Sequence, residues 1–169
     1  VTEPAFGIGK RAFLLQTGEG NVLWDCISLL DEETRSAVES LGGIHAIAIS
    51  HPHYYSSMVE WSRAFGNAPI HLHEADGQWV MRPDMNIRFW AGDSYRLANG
   101  LTLVRSGGHF AGFQVLHWQG GAAGPGVQLE GDPTKSRKHQ LLMMLDEFPA
   151  LGRLDFFETA LAFMAGYGI

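Results

Sequence analysis

Two pairs of histidines, each separated by one residue, have the clearest capacity for chemistry in this sequence. His51 and His53 flank a proline, and His71 and His73 flank a leucine. In extended backbone, residues two apart project to the same side, so each pair can direct two imidazoles at one point. Imidazole nitrogens bind zinc at about 2.0–2.1 Å, and a catalytic zinc typically takes three protein ligands and leaves a position for water. Either pair therefore needs at least one further ligand.

The position of each pair along the chain favours the first. His51 and His53 follow residues 44–50, an apolar run whose composition predicts a strand buried on both faces. The second pair lies within a predicted strand over residues 69–73, where the order His-Leu-His-Glu fits the alternation of a strand with one face in water. We therefore assign metal binding to the first pair and expect the second to be partly exposed.

Apolar runs separated by glycine-rich turns predict a mixed α/β protein. A hairpin is predicted over residues 11–17 and 21–26, and a helix that begins at the N-cap Asp31 should end at Gly42 and Gly43. Two further helices are expected, over residues 55–65 and 74–81. The remaining strand candidates are residues 87–90, 101–105, 113–118 and 127–130.

Composition narrows the class of protein. The chain has 169 residues, of which 46% are hydrophobic and 18% charged, as in a single globular domain. A net charge of -6 without any lysine or arginine run argues against nucleic acid as a partner. No apolar stretch approaches the ~20 residues that cross a bilayer, and the one cysteine cannot form an internal disulfide. We expect a cytoplasmic protein with no membrane association.

The order of these features resembles the metallo-β-lactamase superfamily of metal-dependent hydrolases, over about residues 5–132. The shared features are a strand followed by His51-Pro-His53, a helix, a Gly-Gly-His turn at His109, and a Gly-Asp pair ending at Asp132. The resemblance implies a truncated αββα sandwich with mixed sheets and flanking helices. It also implies that the three histidines bind a metal ion and that Asp132 bridges or binds beside it.

The sequence departs from the family's H-x-H-x-D-H motif. Tyr55 and Ser56 stand where the motif has Asp and His, and no C-terminal segment matches the family's last histidine motif. The resemblance therefore implies one metal ion rather than two; zinc is expected, with iron, manganese or copper as alternatives. Tyr55 is a candidate catalytic residue through hydrogen bonding or weak ligation, and the alternative is that its ring simply packs at the start of the helix.

The C-terminal segment carries a second resemblance. Residues 134–169, above all L-L-M-M-L-D-E-F-P-A-L-G, are similar to the Walker B region of TraG/VirD4-like coupling proteins of conjugative transfer. ATPase activity is not expected, because the chain lacks the phosphate-binding G-x-x-x-x-G-K-[ST] loop. We expect a chimeric chain, with a metallo-β-lactamase-like core over residues 1–132. The tail, residues 133–169, would be of foreign origin, partly helical and packed on the core or on a partner chain.

The leading functional hypothesis is a metal-dependent hydrolase of a small ester, lactone or amide, with β-lactams included. In it the metal lowers the pKa of a water toward ~7, and Asp132 binds the metal or positions that water. One alternative is a catalytically weak or silent metal-binding remnant, and another is a three-histidine site that performs redox chemistry. Besides the small-molecule substrate, we expect a second copy of the chain as partner, in a homodimer that buries the tail helix.

Overall fold

Eight strands and four short helices make up residues 11–119, the part of the chain that this computed structural model describes. The strands are β1 (Phe13–Leu15), β2 (Val22–Trp24), β3 (Ala46–Ala48), β4 (Ile70–His73), β5 (Ile87–Trp90), β6 (Ser94–Ala98), β7 (Leu101–Arg105) and β8 (Gln114–Trp118). The helices are α1 (Glu32–Ser40), α2 (Met58–Ala64), and two 3₁₀ helices at Pro52–Ser57 and Glu74–Trp79.

The strands form two sheets, and the first is mixed. In the five-stranded sheet the order is β1-β2-β3-β4-β5, with β1 antiparallel to β2 and all other neighbours parallel. In the three-stranded sheet, β6, β7 and β8 run antiparallel in sequence order. This arrangement confirms the predicted α/β class with mixed sheets. It also brings the carboxyl ends of β3 and β4 to one edge of the first sheet, where the loops that follow them can meet.

Side-chain alternation along the strands divides the interior into two cores. On β3, Ile47 packs among the helices, whereas Ala46 and Ala48 face the second sheet. The helix-side core includes Ile70 and Leu72 of β4, both fully buried, and each such side chain contributes about 1.5–3 kcal/mol by leaving water. The core between the sheets consists of Leu15, Val22, Trp24, Ala46, Ala48, Trp90, Leu101, Leu103 and Leu116. The layer order is therefore helices, first sheet, second sheet.

The ends of α1 follow the sequence prediction. The Asp31 side chain accepts a hydrogen bond from the backbone N–H of Thr34 at 2.8 Å, which satisfies a donor that the helix itself leaves unpaired. Beyond the helix, Gly42 and Gly43 have φ of 102° and 72°, in the left-handed region that glycine enters without a side-chain clash. The predicted cap and stop are both confirmed.

The structure differs from the sequence prediction at two places. The single helix expected over residues 55–65 is a 3₁₀ helix at Pro52–Ser57 followed by α2, because proline has the backbone angle of a first helical residue and starts the turn directly after His51. Strand β6 was not predicted, although an Asn99-Gly100 turn between it and β7 is a strong hairpin signal. Gly100 has a φ of 74°, as such a turn requires.

Several predictions fall outside the described residues. These are the strand at residues 127–130, the residue Asp132, and the tail at residues 133–169. Within residues 11–119, no helix has both the length and the apolar character needed to span a bilayer.

Candidate metal centre

His51, His53 and His109 lie together in the structure. The nitrogens through which they could hold a metal ion are all within 4.8 Å of one another. Ring centroids are 4.9 Å apart for His51 and His53, 5.1 Å for His51 and His109, and 5.4 Å for His53 and His109. Because a tetrahedral ion bound at about 2.0–2.1 Å separates its ligand nitrogens by about 3.4 Å, small side-chain rotations bring this group to ligand spacing.

Two loops supply these three residues. His51 has extended backbone just beyond β3, and His53 is the second residue of the first 3₁₀ helix. His109 lies in the loop between β7 and β8, directly after Gly107 and Gly108, whose φ values are 68° and 124°. His51 is buried, whereas the other two histidines are exposed. The cluster therefore has one anchored face and one face open to a small ligand.

A hydrogen-bonded chain of three side chains orients His51. The hydroxyl of Ser50 is 2.9 Å from Oδ1 of Asp25 and 2.8 Å from Nδ1 of His51, and the backbone N–H of Ser50 also donates to Asp25 at 2.7 Å. If the Ser50 hydroxyl donates its single proton to the carboxylate, it accepts from an Nδ1–H of His51. Nε2 is then the unprotonated nitrogen, which is the form that binds a metal.

Asp25 reaches this position through its backbone. It follows β2 directly and has a φ of 62°, a left-handed conformation that aspartate adopts more readily than most residues. Its N–H donates to the carbonyl of Ala48 at 2.9 Å, so the pairing of β2 with β3 continues to the base of the site. Sequence reasoning missed Asp25, because the contact joins residues 25 positions apart.

Tyr55 is buried in the helix-side core. Burial, and to a lesser extent the nearby carboxylates of Asp76 and Asp25, raise the pKa of its phenol above the ordinary value. The phenol therefore keeps its proton, and hydrogen bonding is the chemistry that it can offer. Where the family motif would have a carboxylate, this chain has a neutral, largely packed ring.

The buried carboxylate of Asp76 is also close to the site, and sequence reasoning missed it too. Its Oδ1 accepts a hydrogen bond from the backbone N–H of Gly112 at 2.8 Å, in the loop that carries His109. Burial raises the pKa of Asp76, while the Gly112 N–H and the nearby side chains of His73, His109 and Arg105 act in the opposite direction. No motif spacing marks this residue, which lies within the second 3₁₀ helix.

The second histidine pair is buried, so the prediction of a partly exposed strand is wrong. His73 is 2% exposed, and its ring bonds the backbone at both nitrogens: Nε2 lies 3.0 Å from the carbonyl of Gly92, and Nδ1 accepts from the N–H of Ala75 at 3.1 Å. The ring of His71 stacks on Tyr95 with centroids 5.5 Å apart. The physical reason is that Tyr95 of β6 covers His71, while Trp90 of β5 and the Gly92 carbonyl cover His73.

Gln114 connects the second sheet to the base of the site. This fully buried side chain donates from Nε2 to the carbonyl of Ile49 at 2.6 Å and accepts from the indole N–H of Trp90 at 2.8 Å. Its backbone N–H donates to the carbonyl of Ser50 at 3.0 Å. The residues just before His51 are thus held by β8, and sequence patterns gave no sign of this contact.

Aromatic rings border the histidines. The Phe110 ring centroid is 4.5 Å from that of His109 and 5.2 Å from that of His53. Trp79 meets Phe110 edge to face at 5.7 Å and is 47% exposed. These two rings form an apolar surface on the open side of the cluster.

Sequence comparison finds two kinds of relative for this chain. The uncharacterized protein YmaE of Bacillus subtilis (strain 168) is 53% identical over 131 residues, which are 78% of this chain and 47% of that protein. The conjugal transfer protein TraG of Escherichia coli is 62% identical over 39 residues, 23% of this chain and 6% of TraG. Residues 127–169 match a family model described as "Type IV secretory system Conjugative DNA transfer". The predicted TraG-like segment is confirmed.

Solved structures with a similar fold include a lactonase, a di-iron-bound protein and a di-zinc β-lactamase. A quorum-quenching N-acyl homoserine lactone lactonase has a TM-score of 0.50 at 22% identity, covering 64% of this chain and 55% of that one. The di-iron-bound form of TTHA1623 has a TM-score of 0.54 at 22% identity, covering 67% and 64%. The class B3 di-zinc metallo-beta-lactamase LRA-12, from an Alaskan soil metagenome, has a TM-score of 0.50 at 16% identity, covering 63% and 50%.

These comparisons establish the fold. The described residues adopt the metallo-β-lactamase fold, as predicted, and the histidine cluster is a potential metal site within it. The chain spans about half the length of YmaE and of the lactonase.

Proposed function

We propose that this chain is a metal-dependent hydrolase of a small ester, lactone or amide, β-lactams included. The observation that carries the proposal is the cluster of His51, His53 and His109, which offers three imidazole nitrogens within 4.8 Å of one another. The similar structures named as a lactonase and a class B3 di-zinc β-lactamase support the reaction class. A metal ion held by these residues supplies Lewis-acid chemistry: it activates water and polarises a carbonyl group.

The histidine cluster has one side that is fixed by hydrogen bonds and one side that is exposed to solvent. His51 is fixed by Ser50 and Asp25, which sets the tautomer that presents Nε2. His53 and His109 are exposed, so a substrate can approach from their side. In our proposal Asp132, which lies outside the described residues, binds beside the metal or positions the attacking water.

The surroundings of the cluster favour a substrate with an apolar portion. Phe110 lies against His53 and His109, and the half-exposed Trp79 extends the apolar surface toward solvent. Aromatic rings of this kind bind apolar groups with little loss of side-chain freedom, since they have two rotatable bonds. We infer that such a group rests there while the scissile carbonyl meets the histidines.

One zinc ion is our proposed metal content, with iron, manganese or copper as alternatives. The similar structures contain two zinc or two iron ions. In this chain the protonated, buried Tyr55 stands where the family motif has a carboxylate, which removes an expected ligand for a second ion. A three-histidine set with an open position suits a single zinc.

A second candidate function is metal binding without turnover. The same Tyr55 favours it, because a protonated phenol cannot replace a carboxylate as a base that orients water. The two proposals share the metal site and differ in whether the bound ion leads to hydrolysis.

The test combines elemental analysis with a substrate panel. The full chain is purified, its metal content is measured by mass spectrometry, and hydrolysis of phenyl acetate, a γ-lactone and nitrocefin is followed. We expect about one metal ion per chain and turnover of one substrate class that His51→Ala abolishes. Stoichiometric metal without turnover supports the second candidate, and a protein that takes up no metal contradicts both.

A further inference from the structure

Asp76 presents a carboxylate that solvent does not reach. Its side chain is fully buried, and Oδ1 accepts from the N–H of Gly112. The other oxygen, Oδ2, is buried and has no hydrogen-bond partner among residues 11–119. A buried carboxylate oxygen without a partner costs free energy relative to water, so its presence calls for a compensating role.

The loop that carries His109 is fitted closely around this carboxylate. A Cβ atom added to Gly112 would lie 2.8 Å from Cγ of Asp76 and 3.0 Å from its Oδ2. Cβ atoms essentially never come closer than 3.0 Å to another heavy atom, so only glycine allows the backbone to approach this far. Residues 107–112 therefore contact the second 3₁₀ helix through a backbone-to-carboxylate bond that needs both partners.

His109 depends on this contact more than the other two histidines do. His51 and His53 are tied to β3 and to the first 3₁₀ helix, whereas His109 follows two glycines in left-handed conformations. Glycine has the most backbone freedom of any residue, so a loop of this composition holds a side chain loosely unless something else fixes it. Gly112, three residues after His109, is where Asp76 bonds the loop.

The charge of Asp76 also reaches the site. The Asp76 carboxylate interacts electrostatically with His109 and with Tyr55. Tyr55 occupies the position at which the family motif has a carboxylate. A negative charge beside an exposed imidazole favours binding of a cation by that imidazole. Asp76 thus supplies anionic character that the sequence motif itself has lost.

We propose that Asp76 is a positioning residue of the metal centre: it holds the 107–112 loop through Gly112 so that His109 stays at ligand distance, and its charge strengthens cation binding. This inference rests on the proposed metal-binding function. Outer-sphere partners of this kind typically change metal affinity by about 10–100-fold when they are removed.

Cobalt(II) titration of the metal-free full chain tests the inference, because its visible absorption reports both affinity and coordination. We expect Asp76→Ala to weaken Co²⁺ binding by about tenfold or more and to alter the absorption spectrum. Asp76→Asn keeps an acceptor for the Gly112 N–H but removes the charge, so it should weaken binding by a few-fold only. Gly112→Ala should act in the same direction as Asp76→Ala, because it pushes the loop from the other side.

Asp84→Asn is the matched control. Asp84 also accepts from a backbone N–H, that of Asn86 at 3.0 Å, and it pairs with Arg63 at 2.8 Å, but it contacts no residue of the site. Its replacement should leave Co²⁺ affinity and spectrum unchanged.

The outcomes separate the two proposals. If the wild-type chain does not bind Co²⁺, the metal-binding function fails. If it binds Co²⁺ and a folded Asp76→Ala protein has the same affinity and spectrum, only the role of Asp76 is overturned. Should Asp76→Ala fail to fold, Gly112→Ala tests the positioning role and Asp76→Asn tests the charge, and wild-type affinity and spectrum in both variants would overturn the proposal.

Discussion

Two histidine pairs with the same spacing have opposite environments in this molecule. His51 and His53 lie beyond the end of β3, and one of them is exposed beside His109. His71 and His73 lie within β4, and both are buried between the two sheets. The comparison shows that spacing alone does not make a metal site; the position of the pair relative to the end of its strand decides what its rings can contact.

The hydrogen bonds show why the second pair is structural. Both ring nitrogens of His73 bond backbone atoms, at Gly92 and Ala75, and His71 packs on Tyr95. In the first pair, Nδ1 of His51 bonds Ser50, and His51 is one of three histidines whose ring nitrogens lie within 4.8 Å of one another. A ring with both nitrogens bonded to the backbone has no lone pair to offer a metal, whereas the His51 ring belongs to the cluster that could hold one.

The largest expected effect is the loss of metal binding when one of the three clustered histidines is replaced. His51→Ala, His53→Ala and His109→Ala should each abolish stoichiometric metal binding, because two remaining imidazoles are too few for a stable zinc site. His73→Ala is the control: it should keep metal binding while lowering stability. Elemental analysis of purified, folded variants measures this. Full metal occupancy in His51→Ala would show that the site has been assigned to the wrong residues.

A pH-dependent difference in stability is the next largest effect. Burial, and then the charge of Arg88, lower the pKa of His71 from its ordinary 6.5 to about 4. Because the folded state disfavours the charged ring, the contribution of neutral His71 is present above pH 6.5 and is lost as the pH falls toward 4. The loss at pH 4 is about 3 kcal/mol.

The variant His71→Gln isolates this contribution, since glutamine does not titrate. Urea denaturation of both proteins at pH 7 and pH 4 gives the free energies of unfolding. Relative to wild type, the variant should gain about 3 kcal/mol between the two pH values. A constant difference between the two proteins would mean that His71 does not titrate with a lowered pKa.

The sequence predicted the features that local rules control and missed those that depend on packing. The helix cap at Asp31 and the placement of His51 beyond a strand end follow from residues a few positions apart. By contrast, Gln114 reaches Ile49 across 65 positions, and Asp76 reaches Gly112 across 36. No periodicity or motif encodes such contacts, because they form only after the sheets have packed.

The burial of the second pair shows the same limit. Alternation along β4 correctly indicated that the two histidines share a face, but whether that face meets water depends on another element. Tyr95 of β6 and Trp90 of β5 cover it, and the sequence prediction contains no strand at β6 although Asn99-Gly100 is a typical hairpin turn. A hairpin at this turn accounts for the strand that supplies Tyr95.

The smallest expected effect is a change in metal affinity when a side chain that orients His51 is altered and all three histidines remain. Ser50→Ala deletes the hydroxyl that lies 2.8 Å from Nδ1 of His51 and 2.9 Å from Asp25. We expect metal affinity to fall by about tenfold, the low end of the range for such partners, because the backbone N–H of Ser50 still holds Asp25 in place. Ser50→Thr keeps the hydroxyl and should restore most of the affinity. Competitive titration with a zinc chelator measures both variants, and unchanged affinity in Ser50→Ala would mean that the His51 ring is held by packing rather than by this hydrogen bond.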